Sequence, residues 1–261
     1  MFDCNNIYSV WDKKLVYPSK NYRTLSKDVE YKGGRDKERS ARVYSFEDAT
    51  TKLLNLLGVK NMYPGVLEAD DVIYWLSNRI TDDTVIVSVD QDMLQLINNK
   101  TYVYSPIKDV IIDHINFHEH VGVNIDQFLR YKSLMGDKSD NLPGIPRCGS
   151  KTAIKLVNEC NTDQELIEKL GHDTLTPYFH NLDIINLEKG VEHHPDDVPM
   201  YEEQYETLSK HKPDMDGFRR LGESMNMSKI VDDFSRWSSV FDSKQLTNTL
   251  ADIVNGLGLS K

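Results

Sequence analysis

One short segment, residues 84–89, constrains the fold of this 261-residue chain more than any other. It reads Thr-Val-Ile-Val-Ser-Val, a β-branched and almost continuously apolar run that is typical of a strand buried on both faces of a parallel sheet. Strand-like segments at 60–63 and 101–105 lie on either side of it, and helix-like segments at 45–57 and 68–78 precede it. This alternation predicts an α/β fold with a mostly parallel central sheet flanked by helices.

Helical patterns dominate after about residue 106, and the last of them is an amphipathic stretch at 218–241. The chain is predicted to have three parts. They are an α/β region at 1–105, which includes a basic segment at about 12–44, a helical region at 106–241, and a polar extension of unassigned role at 242–261.

The composition is that of an ordinary globular protein, with 39% hydrophobic and 28% charged residues. No apolar run approaches the ~20 residues that a membrane helix needs, and the N-terminus lacks the pattern of a signal peptide. Three scattered cysteines are typical of a protein in a reducing compartment. Together these features predict a cytoplasmic protein with no membrane partner.

Charge is distributed unevenly along the chain. The net charge is −10, a value that by itself argues against a nucleic-acid-binding protein. Residues 13–43, however, contain ten basic and four acidic residues, so this stretch carries +6 and the rest of the chain −16. Such asymmetry indicates a basic arm on an acidic body, although a solvated helical surface with salt bridges is the ordinary alternative.

Acidic residues cluster at the expected ends of the strands. Glu-Ala-Asp-Asp opens a helix, Asp-Gln-Asp directly follows the buried strand, and Gly-Asp-Lys-Ser-Asp-Asn opens a loop. Ligands of parallel sheets bind at the carboxyl ends of the strands, so most of these groups would gather there. The candidate ligands are Asp3, Glu68, Asp70, Asp71, Asp90, Asp92, Asp137 and Asp140.

Each acidic group alone is explained by helix N-termini or turns, which favour acidic residues. Together, carboxylates that gather in one place repel one another unless a cation neutralises them. Hard oxygen ligands in this number suit Mg²⁺ or Mn²⁺, and two such ions about 4 Å apart stabilise an in-line phosphoryl displacement. The pattern therefore favours metal-assisted phosphoryl chemistry.

A Gly- and Pro-rich turn follows at residues 141–153. Gly144 and Gly149 allow the backbone to approach a ligand closely, and Ser150 can cap the following helix. The turn would present N–H groups and the positive end of the helix dipole to a phosphate, with Lys151 adding a point charge. A plain connection between two packed helices is the alternative.

Three motifs in this order resemble the flap endonuclease and 5′-nuclease family, which includes the 5′-nuclease domains of bacterial DNA polymerase I and phage enzymes. They are Glu-Ala-Asp-Asp, Ser-Val-Asp-Gln-Asp-Met-Leu-Gln-Leu, and Gly-Asp-Lys-Ser-Asp-Asn-Leu-Pro-Gly-Ile-Pro-Arg-Cys-Gly-Ser-Lys-Thr-Ala. The match runs from about residue 1 to 160. It implies a PIN-like nuclease fold with a helical arch and a C-terminal helix–turn–helix (H3TH) region.

The resemblance also implies a role for each matching residue. Asp137 and Asp140 match the second-metal carboxylates, Asp3 matches the end of the second acidic strand, and the remaining candidate ligands match the first acidic metal site. The basic segment is similar to the arch, where Lys32 and Arg35 would help stabilise charge at the scissile phosphate. The implied DNA-binding residues are Arg23, Lys32, Arg35, Gly144, Arg147, Gly149, Ser150, Lys151 and Thr152.

The implied activity is that of a structure-specific 5′ nuclease in DNA replication and repair, in a bacterial or phage-infected cell. It would use two Mg²⁺ or Mn²⁺ ions, with K⁺ at the helix–turn–helix, to cut 5′ ends or flaps of branched DNA or RNA:DNA hybrids.

One departure from the family lies at the start, because a first strand ending in aspartate has no counterpart here. An upstream segment or another polypeptide could supply this strand, since its loss would expose unpaired strand edges. The alternatives are therefore one part of a split nuclease, or a structure-specific DNA-binding protein without cleavage. Replication proteins are further candidate partners.

Overall fold

The computed structural model describes residues 4–12, 22–23, 45–208 and 211–241. The predicted site residues Asp3, Lys32 and Arg35, most of the basic segment, and the extension at 242–261 lie outside the described residues. The chain divides into two compact units, each discontinuous in sequence. The first takes its described residues from Met1–Lys14, Asp36–Tyr63 and Pro199–Lys261, and the second from Leu15–Arg35 and Pro64–Val198.

Strands and helices alternate through the first half of the described chain, and helices follow. The strands are β1 (Tyr8–Val10), β2 (Lys60–Met62), β3 (Thr84–Val87), β4 (Thr101–Ser105), β5 (Val110–Ile112), β6 (Gly136–Asp137) and β7 (Leu142–Pro143). The α-helices are α1 (Glu47–Leu56), α2 (Ala69–Arg79), α3 (Phe117–Val121), α4 (Phe128–Met135), α5 (Ser150–Glu159), α6 (Asp163–Leu170), α7 (Thr176–Ile185), α8 (Leu187–His193), α9 (Val198–Leu208), α10 (Met215–Ser224), α11 (Ser228–Asp232) and α12 (Phe234–Phe241).

The first unit contains a parallel strand pair, β1 and β2, in which Tyr8 lies opposite Lys60. Its hydrophobic core joins α1 to α10, with Leu53 and Phe218 among the buried side chains. The amphipathic stretch expected at 218–241 is divided among α10, α11 and α12, and the break between α10 and α11 includes Asn226, whose φ is 55°.

The second unit contains a three-stranded sheet in the order β3-β4-β5. β3 and β4 are parallel, whereas β5 returns antiparallel to β4. The main core surrounds this sheet and includes Val103, Leu134 and Val157, all nearly inaccessible to solvent. Among the described strands, β3 is the outer one of its sheet, so its carboxyl end and the residues that follow it lie at the edge that these strands form.

The predicted α/β class with parallel strand pairing is confirmed. The predicted domain boundary at residue 105 stays a proposal, since neither compact unit ends there. In the described part of the chain, no helix is long and apolar enough to cross a membrane.

Candidate active site

A solvent-open cavity in the second unit gathers acidic residues from three separate sequence motifs. Glu68 and Asp70 lie at the start of α2, Asp92 lies in the 3₁₀ helix that follows β3, and Asp140 lies in the loop between β6 and β7. The other lining residues are Arg23, Leu142, Ile184, Ile185 and Leu187. The fold therefore brings together acidic groups that are up to 72 residues apart in the sequence.

Local hydrogen bonds fix the start of α2. Glu68 and Asp71 form a capping box, in which the Glu68 N–H donates to Asp71 Oδ2 at 3.0 Å. Just before the helix, the N–H groups of Val66 and Leu67 donate to Asp197 Oδ2 at 2.8 and 3.1 Å. Acidic residues also suit this position because the positive end of the helix dipole stabilises them.

Asp71 is completely buried and is held by a buried arginine. Arg23, only 1% exposed, donates from Nη1 and Nη2 to the two carboxylate oxygens at 2.6 and 2.7 Å, and from Nε to the Ile184 carbonyl at 3.0 Å. Burial alone would lower the pKa of Arg23, but the bonds to Asp71 outweigh it and raise the pKa. In this conformation, Arg23 is a counter-ion within the site.

Helix α8 packs against the same ion pair. A Cβ atom built on Gly190 would overlap Asp71 Oδ1 and would lie 3.1 Å from Arg23 Nη2. The close approach of this helix to the pair therefore requires glycine at position 190.

A second buried cation, Lys132, lies between two other acidic groups. Its Nζ atom is 2.9 Å from Asp92 Oδ1 and 2.7 Å from Asp137 Oδ2, and the residue is 3% exposed. The sequence motifs do not single out Lys132. The sequence feature that could have indicated a buried lysine is its place between Tyr131 and Leu134, on a helix that leads directly to Asp137.

The pKa values of this group move in different directions. Burial raises the pKa of Asp92 to about 6, even though Lys132 opposes the shift. For Asp137, burial is outweighed by the hydrogen bonds from Lys132 and Ser139, so its pKa is lowered. Burial alone would lower the pKa of Lys132, but Asp92 and Asp137 outweigh it and raise the pKa.

Asp90 is exposed and caps the 3₁₀ helix by accepting a hydrogen bond from the Asp92 N–H at 2.9 Å. Across the described residues, no group of three His, Cys, Asp or Glu side chains converges into a coordination site. Arg23 holds Asp71, and Lys132 holds Asp92 and Asp137, as ion pairs instead.

The donor atoms nevertheless fit a hard divalent cation, because they are carboxylate oxygens. Asp92 Oδ1 is buried and, within the described chain, has no hydrogen-bond partner. Its close contact with Lys132 Nζ is therefore an ion pair without hydrogen-bond geometry. A buried carboxylate oxygen in this state is suited to a cation.

The Gly-rich turn places the start of α5 at the surface. Gly144 has no room for a Cβ because the Met135 carbonyl packs against it. Arg147 is exposed and has a positive φ of 61°, and α5 begins just after Gly149. Ser150, Lys151 and Thr152 form its exposed first turn.

Both halves of the chain match described protein families. Residues 3–122 match the family described as 5′-3′ exonuclease, N-terminal resolvase-like domain. Residues 123–223 match the family described as 5′-3′ exonuclease, C-terminal SAM fold. The chain belongs to the 5′-3′ exonuclease family.

Relatives of this family are similar over part of their length. The 5′-3′ exonuclease of Bacillus subtilis is 33% identical over 177 residues, which are 65% of this chain and 57% of that protein. The thermostable DNA polymerase I of Thermus filiformis is 27% identical over 190 residues, 70% of this chain and 23% of the polymerase. The chain thus spans between about a fifth and somewhat over half of these relatives.

Solved structures from bacteriophage T5 share the fold. The T5 5′-exonuclease bound to divalent zinc ions is 20% identical with a TM-score of 0.62, over 79% of this chain and 84% of that one. A T5 flap endonuclease in a pseudo-enzyme-product complex with DNA and metal ions has the same identity and a TM-score of 0.61, over 79% and 85%. The PIN-like fold with a helix–turn–helix region implied by the sequence motifs is confirmed.

Proposed function

We propose that this chain is a divalent-metal-dependent 5′ nuclease that hydrolyses phosphodiester bonds at 5′ ends or flaps of branched DNA. The observation that carries the proposal is the cavity, where Glu68, Asp70, Asp92 and Asp140 from three motifs line one opening. Membership of the 5′-3′ exonuclease family supports the same activity.

The residues proposed to hold the metal ions are Glu68, Asp70, Asp71, Asp90, Asp92, Asp137 and Asp140, with Asp3 outside the described residues. Two bound Mg²⁺ or Mn²⁺ ions would supply an activated water and stabilise the leaving oxygen. The protein's part is to hold Glu68, Asp70, Asp92 and Asp140 around one opening, through the capping box of α2 and the cap that Asp90 provides. Lys32 and Arg35 are proposed to stabilise charge at the scissile phosphate.

The proposed duplex-binding surface is the start of α5 with the turn before it. Its exposed N-terminal N–H groups and the Lys151 ammonium suit a backbone phosphate. Gly144, Arg147, Gly149, Ser150 and Thr152 would shape this surface, and K⁺ is the proposed ion at the turn. Arg23 is buried against Asp71, so a contact between Arg23 and DNA would require this ion pair to open.

A partner strand along β3 is part of the proposal. β3 lies at the edge of its sheet, and Val87 and Val89 near its end are 60% and 62% exposed. A strand from a preceding segment or from another polypeptide would pair with this edge and cover both valines. Replication proteins, RNA:DNA hybrids as substrates, and a cytoplasmic location belong to the same proposal.

The test is cleavage of an end-labelled 5′-flap duplex in Mg²⁺ and in Mn²⁺, with DNA binding followed in parallel in Ca²⁺. We expect product from the wild type and none from Asp90→Ala, which also excludes a contaminating nuclease. Asp90 is exposed and the cap that it provides is worth about 1 kcal/mol, so this variant should keep its fold, and we expect it to keep its DNA binding in Ca²⁺. Flap binding without cleavage would favour the second candidate, a structure-specific DNA-binding protein, or a nuclease that needs its partner strand.

A further inference from the structure

Lys132 connects two acidic motifs that are far apart in the sequence. Asp92 belongs to the segment after β3, and Asp137 ends the short strand β6 directly after α4. The Lys132 ammonium contacts both, at 2.9 and 2.7 Å, in a place where it is almost inaccessible to solvent. A buried ammonium is costly unless nearby opposite charges compensate it, so these contacts explain why the lysine is tolerated.

The formal charges of this group decide how it responds to a metal ion. Two carboxylates and one ammonium leave a net formal charge of −1, whereas the two carboxylates alone would carry −2. The ammonium therefore stabilises the pair when no metal is bound. It also repels any divalent cation that approaches the same oxygens.

We propose that Lys132 is a positioning residue that acts as the built-in cation of the Asp92–Asp137 pair and competes with a divalent ion for these carboxylates. The inference rests on the proposed function, because it takes Asp92 and Asp137 as metal ligands. It adds a residue from outside the acidic motifs, and it assigns that residue an effect on metal affinity. At Asp92 the contact is an ion pair whose buried oxygen, Oδ1, has no hydrogen-bond partner among the described residues.

The alternative is that Lys132 only fills space in the core. Its neighbours in the helix, Tyr131, Ser133 and Leu134, are also buried, so this part of α4 lies within the core. A methionine has a similar length and would satisfy packing alone. Charge and packing are therefore separable by substitution, with arginine preserving the charge.

The experiment follows thermal unfolding of the full chain during Ca²⁺ and Mn²⁺ titrations that start from EDTA. The variants are Lys132→Met, Lys132→Arg and, as control, Lys155→Met, whose lysine is 71% exposed on α5. In EDTA we expect Lys132→Met to unfold about 10 °C below the wild type, because two buried carboxylates lose their counter-ion. Lys132→Arg and Lys155→Met should unfold at a temperature close to that of the wild type.

With added Ca²⁺, the difference in unfolding temperature between Lys132→Met and wild type should shrink to less than half of its value in EDTA. The Ca²⁺ concentration that half-saturates Lys132→Met should be about 10-fold or more below that of the wild type. A gap that is the same at all Ca²⁺ concentrations would overturn the inference, because packing alone would explain it. If the wild type binds Ca²⁺ and Mn²⁺ with the affinity of Lys132→Met, only this inference fails. If neither protein responds to either ion, the metal site of the proposed function fails as well.

If Lys132→Met does not fold, the double variant Lys132→Met with Asp137→Asn restores the net formal charge of −1. Recovery of a cooperative unfolding transition would support the electrostatic role of Lys132. Failure of the double variant to fold, together with an unfolded Lys132→Arg, would overturn it.

Discussion

Replacing Gly190 by alanine tests the packing of α8 against the Asp71–Arg23 pair. Within a helix this substitution normally stabilises by about 1 kcal/mol, because alanine is the better helix former. Here the new Cβ would overlap Asp71 Oδ1 and would also press on Arg23 Nη2. The structure therefore predicts the opposite sign.

The magnitude follows from what must move. Overpacking of a dense core costs about 1–3 kcal/mol, and opening a buried ion pair costs about 3–5 kcal/mol. Because the overlap is with a carboxylate oxygen of the pair, the larger cost applies, and after the gain of about 1 kcal/mol in helix propensity we expect Gly190→Ala to lower the free energy of unfolding by about 2–4 kcal/mol. The control is Glu192→Ala on the same helix, whose side chain is 54% exposed and which should change stability by less than about 0.5 kcal/mol.

Urea unfolding of a double-mutant cycle identifies the partner of the new methyl group. Asp71→Ala alone leaves Arg23 buried without its carboxylate and should itself be strongly destabilising. Combined with Gly190→Ala, it should cost less than the sum of the two single changes by at least about 1 kcal/mol, because the overlapping atom is gone. A neutral Gly190→Ala, or strictly additive effects, would refute the packing argument.

Three further predictions concern other parts of the site. Asp197→Ala removes the acceptor for the N–H groups of Val66 and Leu67 and should lower the free energy of unfolding by about 2–4 kcal/mol in urea titrations. Burial raises the pKa of Asp92 to about 6, so the folded state binds the proton more tightly than the unfolded state does. In EDTA, the free energy of unfolding of the wild type should therefore fall relative to that of Asp92→Asn as the pH rises from about 4 to 6. Lys151→Ala should weaken duplex binding in Ca²⁺ and reduce the slope of the logarithm of the binding constant against the logarithm of the salt concentration by about one. An unchanged slope would show that Lys151 is not part of the interface.

Much of the fold follows from local sequence patterns. The apolar run at 84–89 contains a parallel strand, although only Ile86 of this strand is buried and the expected burial on both faces is wrong. Glu-Ala-Asp-Asp contains the capping box that begins α2. Such features depend on residues a few positions apart, so the sequence predicts them directly. No strand is predicted at Val110–Ile112, where the structure has the antiparallel strand β5.

The ion pairs of the site could not be predicted in the same way. The resemblance to the family's arch implies a DNA contact for Arg23, and this role stays a prediction, whereas no sequence pattern predicts its burial against Asp71. The sequence motifs give no role to Lys132, since a single lysine on a helix is ordinary. Two of these pairings, Arg23 with Asp71 and Lys132 with Asp92, join residues that are 40 or more positions apart, so only the tertiary fold selects the partner.

One segment of the chain without any proposed ligand, residues 184–197, accounts for much of this arrangement. The Ile184 carbonyl accepts a hydrogen bond from Arg23, and the Ile185 carbonyl and the Leu187 N–H bind the Gln95 side chain. The Asp197 carboxylate accepts from the N–H groups in the turn before α2. These contacts come mostly from backbone atoms, which any sequence can supply, so residue identity reveals little about them. The acidic motifs thus encode the donor atoms locally, whereas a segment of unremarkable sequence helps to hold two of those motifs together.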